Sequence, residues 1–343
     1  MSGIRVSGLG AVSPAGWGVA PLWTALKTGT PLPCAPLPRP GLERPLSIRA
    51  VPSPNPRPAF LGHPRVRRSA SITHHLLGAA LEAINDPSAG PRRDGERLGL
   101  IVCVMSGCVT YSRRFFEEVL ENPATASPLL FPETVFNAPA SHLAALLNST
   151  AEALTVVGDE SAFPTGLATA AHWLQDGMVD ACLVVGAEEM DWLIADAMRL
   201  FDRGRIHAGG AGALYLRRAE AGSRGVELAA ITDLHRFATR TGRRRAARRM
   251  RTELPAGSAS ELLLLGTQGL PVDAEEADVW LDWPGARMEP RSILGDALPA
   301  SAAWHCVAAC EALRRGAFTG ATVSLVGTNQ QAVGVSFTVS PGS

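Results

Sequence analysis

The chain has 343 residues, 46% of them hydrophobic, and its 32 Lys+Arg against 32 Asp+Glu leave a formal net charge of zero. Such a length and apolar content can bury one large core or two ordinary ones, while the zero balance excludes global steering toward nucleic acid or an acidic membrane. Six scattered cysteines without a CxxC pair or zinc-type histidine spacing argue against a disulfide framework or a structural metal; with no signal-like start and no membrane-length apolar run, a cytoplasmic protein without membrane insertion is expected.

"IRVSGLGAV" reads as a short strand entering Gly8 and Gly10, followed by a helix over Val19 to Lys27. The GxG lacks the third glycine and the downstream acid of a dinucleotide site, so no cofactor is expected. From Pro31 to Pro64 prolines are dense enough to exclude a helix or a central strand, which predicts a long surface excursion. "SITHHLLGAALEAI" is then a helix, "RLGLIVCVMSG" a buried strand and "YSRRFFEEVLEN" an amphipathic helix. "ASPLLFPETVFNAPASHLAALLNST" reads as an extended piece with a helix starting near Pro139. Thr155 to Glu189, "TVVGDESAFPTGLATAAHWLQDGMVDACLVVGAEE", reads as strand, tight turn, helix, strand, and "RLFDRGRIHAGGAGALYLRR" adds a Gly-rich turn and a strand ending near Arg218.

A second round of alternation starts at "GVELAAITDLHRF". It continues through an arginine-dense segment (Arg236, Arg240, Arg243, Arg244, Arg245, Arg248, Arg249, Arg251), a helix "SASELLLLG", a strand "DVWLDW", a helix "PASAAWHCVAACEALRRG" and two strands, "TVSLVG" and "AVGVSFTV". Repeated alternation with buried strands implies an α/β layered architecture. The chain divides into halves of residues 1–225 and 226–343, the second shorter.

Several segments, in order, resemble the β-ketoacyl synthase family of the thiolase fold: "VSGLGAVSPAGWGVAPLWTALKTG", "SPLLFPETVFNAPASHLA", "FDRGRIHAGGAGALYLRR" and "RSILGDALPASAAWHCVAACEALRRG". The resemblance implies a pseudo-duplicated α/β/α/β/α sandwich. In that family a cysteine at a helix N-terminus attacks an acyl thioester, where unpaired N–H groups favour thiolate and oxyanion, and two histidines support decarboxylation and condensation. The family's elbow of threonine, alanine, cysteine, two small residues and glycine falls here on Ser161, Ala162, Phe163, Pro164, Thr165 and Gly166.

Phe163 has no lone pair with which to attack. Pro164 suits a first helical turn and favours an extended residue before it. The first family histidine, in an alanine-histidine-glycine-threonine context after a strand, is assigned to Trp283, and the second to Asp296; Arg291 stands where lysine is usual and Gly209 where glutamate is usual. The closing loop corresponds to Gly327, Thr328 and Asn329. Loss of nucleophile and both histidines implies a chain that does not perform the condensation, because such groups act as a unit. Phe163 and Trp283 are expected to fill the former reaction chamber together.

The resemblance also implies dimerisation through a sheet edge, with an active ketosynthase homologue as in chain-length-factor pairs of type II polyketide and aryl polyene synthesis, or with a second copy. Thr134, Val135, Phe136 and Asn137 carry the interface-like segment. Two other readings stand beside this one: an acyl transferase or thioesterase using Ser161 or Cys108, and an acyl-chain-binding protein without catalysis. A terminal-strand cysteine is more often a small core residue, and Ser161 has no G-x-S-x-G around it. The arginine segment reads as a solvated helix or loop over the core; an acyl carrier protein is its alternative partner, and nucleic acid is disfavoured for want of an aromatic platform beyond Phe237.

Overall fold

The computed structural model describes residues 3–90, 95–220, 222, 224–328 and 330–340. Its first half runs β1 (Ile4–Ser13), β2 (Gly16–Trp17), α1 (Val19–Thr28), β3 (Ala35–Arg39), β4 (Leu42–Arg49), α2 (Ser71–Ile84), β5 (Leu98–Val104), α3 (Val109–Glu121), α4 (Ala138–Leu147), β6 (Ala153–Val157), α5 (Ala162–Gln175), β7 (Ala181–Glu188), α6 (Trp192–Met198), β8 (His207–Ala208) and β9 (Gly210–Arg218). The second runs β10 (Gly225–Ile231), β11 (His235–Arg236), α7 (Arg240–Thr252), β12 (Glu261–Leu265), α8 (Ala274–Ala277), β13 (Ala286–Met288), α9 (Pro290–Leu294), α10 (Pro299–Arg314), β14 (Gly320–Val326) and β15 (Gln331–Ser340).

The order β6-β5-β7-β9-β1 in the first half is matched by β13-β12-β14-β15-β10 in the second. Directions match too. In each half the first two junctions are parallel and the last two antiparallel. The half-sheets meet at β1 and β10 through one antiparallel register pair, Arg5 with Glu227.

Between the half-sheets lie α5 and α10. Helix α10 is apolar all round and leaves only Glu311 and Arg314 outside its buried set, as expected of a helix packed on every side. The central core joins Leu167 and Leu174 of α5 to Val307 and Leu313 of α10 and to both half-sheets. Outer cores form under α2 and α4 on one side and under α7 on the other, the latter through Ala246, Ala247 and Met250. The result is the α/β/α/β/α layering of the thiolase-like ketosynthase fold. Trp304 of α10 donates its indole N–H toward the carbonyls of Val12 and Ala211, at 3.1 and 2.9 Å, fixing the central layer to β1 and β9.

Gly8 and Gly10 serve packing. A Cβ there would stand within 2 Å of the Ala83 and Ala79 carbonyl oxygens, so the glycines let β1 lie directly on α2. Three local expectations are corrected. "ELLLL" is not part of a helix: Glu261–Leu265 is a strand held in parallel by β13 and β14. Asp278–Trp280 is a 3-10 turn, not a strand. The proline-rich excursion contains the β3–β4 hairpin, which forms a small sheet with β8; β3 tolerates Pro36 and Pro38 because it is an edge strand. From Arg240 onward the arginine segment folds as α7, with Arg243 buried, while Arg236 lies in β11. No helix among the described residues is long and apolar enough to cross a membrane.

Candidate functional site

The turn between β6 and α5 brings Asp159, Glu160 and Ser161 to the head of the central helix, all three buried. Asp159 Oδ1 accepts from the Ser161 backbone N–H at 3.1 Å, closing the turn. Ser161 occupies the N-cap position with helical angles. Contrary to expectation, Phe163 is already helical rather than extended. Pro164 falls within the first turn, where its missing N–H would have had no intrahelical acceptor.

Phe163 is 0% exposed and belongs to the central core. Its ring occupies the space above β7 that Gly186 leaves open: a Cβ on Gly186 would lie 3.0 Å from Phe163 Cδ2 and 2.4 Å from the Pro299 carbonyl oxygen. The side chain thus fills a narrow slot between β7 and the start of α10.

Beside this slot stands a buried ion cluster. Arg291 of α9 donates from Nη2 to Glu160 Oε1 at 2.7 Å, and its Nε lies 3.7 Å from Asp296 Oδ1. Arg205 approaches Asp296 Oδ2 through Nε at 3.6 Å and donates from Nη2 to Asp273 Oδ1 at 3.1 Å. Asp296 also accepts the Leu298 N–H at 3.0 Å. That bond helps hold Leu298 at φ 53°, a region non-glycine residues rarely occupy. Burial opposes ionisation of Asp296, yet Arg291, Arg205 and His207 hold its carboxyl below the usual range. Burial pushes the Glu160 carboxyl up, against the pull of Arg291. The backbone N–H of Thr328, in the closing loop, lies 3.4 Å from Glu160 Oε2; Asn329 is outside the described residues. Gly209, between β8 and β9, is buried, and a Cβ there would sit tightly, 3.3 Å from the Glu188 carbonyl oxygen and the Met190 amide nitrogen.

The expectation for Trp283 is corrected. It does not share a core with Phe163: it packs in the outer layer with Leu254, Val279 and Trp280, edge to face with Trp280 at 5.6 Å between ring centroids. A second strand that runs into a glycine-threonine pair is β12, which ends at Leu265 before Gly266 and Thr267. Leucine supplies no imidazole there. The Gly266 N–H donates to Glu276 Oε1 at 3.1 Å, and Ser324 Oγ donates to the same oxygen at 2.7 Å.

Sequence reasoning passed over His305, whose only signal was a polar ring within an otherwise apolar helix. It is 0% exposed, with Nδ1 2.6 Å from the Ser301 carbonyl oxygen and Nε2 3.0 Å from that of Leu265. Burial, aided by Arg291, pushes its imidazole down to about 4; the neutral ring donates through one nitrogen only, to one of these two carbonyls. The proposed substitute nucleophiles are enclosed as well. Ser161 Oγ lies 2.8 Å from Asp159 Oδ1 and 2.9 Å from Gln331 Oε1, with no histidine bonded to it among the described residues. Cys108, 1% exposed, has its thiol pushed up by burial and by Glu189, Glu133 and Glu188, which disfavours thiolate.

The interface-like segment sits elsewhere. Thr134 follows a 3-10 turn at Phe131–Glu133, and Asn137 precedes α4. Val135 and Phe136 are 40% and 46% exposed, near Phe131, whose ring stacks at a tilt on Phe115 of α3. Strand β6 is the outer strand of its half-sheet and exposes Leu154 and Val157.

No curated protein matches the chain in sequence. Solved structures match over nearly its whole length. The ishigamide ketosynthase/chain length factor superposes with a TM-score of 0.82 at 19% identity, covering 99% of this chain and 100% of that one. A type II polyketide ketosynthase solved with its acyl-carrier protein and bound to the hexaketide gives 0.79 at 14%, covering 98% and 99%. A ketosynthase (ApeO) in complex with its chain length factor (ApeC) from Xenorhabdus doucetiae gives 0.75 at 16%, covering 98% of each chain. The family described as beta-ketoacyl synthase, N-terminal domain, matches residues 1–213, more than half of the sequence. With that match and the layered fold around the head of α5, the chain belongs to the β-ketoacyl synthase family.

Proposed function

We propose that this chain is a non-catalytic ketosynthase-like subunit that pairs with an active ketosynthase in fatty-acid or polyketide-type biosynthesis, aryl polyene synthesis included, and shapes that partner's acyl tunnel. The observation that carries the reading is Phe163, fully buried where the family's nucleophile would stand, at the head of α5. Asp296 occupies the position assigned to the second histidine, and neither Trp283 nor Leu265 supplies an imidazole for the first, so neither nucleophile nor imidazole pair is supplied. What remains accessible is a partner surface: the apolar residues Leu154 and Val157 on outer strand β6, and Val135 and Phe136 beyond α3. An unpaired strand edge with apolar neighbours is a template for another chain. In the proposed pair, Val135 and Phe136 face the partner's acyl pocket.

The test is co-expression with the ketosynthase encoded nearest to this chain, native mass spectrometry, and a malonyl-thioester condensation assay with the carrier protein, with and without this chain. A one-to-one complex whose activity or product length depends on this chain supports the reading. A chain that forms only homodimers and leaves the ketosynthase unaffected overturns it.

A further inference from the structure

A basic cavity lies apart from the Phe163 slot. It has a volume of about 300 Å³ and opens between the β3–β4 hairpin, α6 and the segment leading into β8. Arg39, Arg44, Arg199, Arg203 and Arg205 line it, with His207, and no lining residue is acidic. Neutralisation of these arginines is incomplete. Arg39 and Arg199 share one oxygen, Asp196 Oδ1, at 2.8 and 3.3 Å. Arg44 and Arg203, both exposed, have no carboxylate partner among the described residues. Arg205, 9% exposed, also lines the cavity; its Nη2 and Nε are engaged by Asp202, Asp273 and Asp296.

Several cations around one concavity raise the local concentration of anions. A carboxylate offers two coplanar oxygens and one charge; a phosphate offers three oxygens in a tetrahedral array and close to two charges, which suits several guanidinium forks at once. We propose that this cavity binds a small phosphate-bearing anion, with the exposed Arg44 and Arg203 engaging it at the mouth beside Arg39 and Arg199, which share a single carboxylate oxygen. The volume admits a phosphate or pyrophosphate group with a modest organic substituent. The inference stands independently of the partnership proposed above, since none of these arginines lies on β6 or the Val135–Phe136 segment.

The experiment is isothermal titration calorimetry of the full chain at low ionic strength with inorganic pyrophosphate, phenyl phosphate and, as a carboxylate control, succinate. Binding of pyrophosphate or phenyl phosphate at least ~10-fold tighter than succinate is expected, with the stronger of the two showing whether the site prefers the bare anion or an organic ester. The Arg44→Gln/Arg203→Gln variant changes only exposed side chains; its fold is verified by circular dichroism and its affinity for the preferred probe is expected to fall by ~10-fold or more. Absence of binding by both phosphate probes, succinate binding as tightly as they do, or unchanged affinity in the folded double variant would each overturn the proposal.

Discussion

Arg291 and Glu160 form a hydrogen-bonded ion pair at 2.7 Å with both side chains about 1% exposed, and the same guanidinium faces Asp296. One cation thus stands between two buried carboxyl groups. Arg291→Met is expected to destabilise the chain by about 3–5 kcal/mol, because it leaves buried acid groups without their counter-charge. Adding Glu160→Gln and Asp296→Asn to that variant should restore much of the loss. Urea denaturation of the three proteins measures both effects; a triple variant no more stable than Arg291→Met alone would count against the assignment.

Phe163 is a packing residue of the central core at the head of α5. Phe163→Ala is expected to cost about 3–5 kcal/mol through lost burial and the cavity it leaves. Phe163→Cys should also destabilise, and it should acquire no malonyl-dependent condensation activity, since no imidazole faces the introduced thiol at the assigned positions. Intact mass after incubation with an acyl thioester, together with a condensation assay, checks this; turnover by the cysteine variant would refute it.

Two buried acids give the chain an unusual pH dependence. Burial pushes the carboxyl of Glu188 up to about 8 and that of Glu276 up to about 7. The folded state therefore holds protons that the unfolded state has released above its ordinary carboxyl range, so stability falls as pH rises between about 5 and 8. Glu276 Oε2 has no hydrogen-bond partner, which fits a group carrying its proton. Glu276→Gln should match the parent near pH 5 and exceed it near pH 8 by roughly 1–3 kcal/mol. Denaturation midpoints across that range test the sign; a parent profile that rises toward pH 8 is the adverse result.

Phe136 and Val135 expose apolar surface beside α3. If they meet an active ketosynthase, Val135→Asp/Phe136→Asp should weaken the pair by ~100-fold or more, as truncation of central apolar contacts commonly does, while leaving the melting temperature of the isolated chain within a few degrees. Native mass spectrometry at matched concentrations reads the complex. Retention of the full complex by the double variant would remove this segment from the interface.

The paired alternation of strands and helices was legible because buried parallel strands and all-apolar helices write continuous hydrophobic runs, as in "LGLIVCV" and "AAWHCVAAC". The head of α5 was legible through Ser161, Phe163 and Gly166 in their register. Where sequence failed, the signal was short. "ELLLL" is too brief for periodicity to separate strand from helix, leucine favours helix, and only pairing with β13 and β14 decides the matter. That reading hid the strand-to-glycine context of Leu265, Gly266 and Thr267. The acidic partners of Arg291 and Arg205 were only partly visible. Glu160, Asp273 and Asp296 are far apart in sequence and are brought together by strand order alone.

The half-sheets touch through the single register pair of Arg5 and Glu227, yet Trp304 of the second half binds the carbonyls of Val12 and Ala211 in the first. The repeat visible in the strand order is therefore a repeat of drawing and not of self-sufficiency. Severing the chain before β10 would bare the apolar sides of α5 and α10 to water at once, so the two halves must be inherited, altered and stabilised as one object.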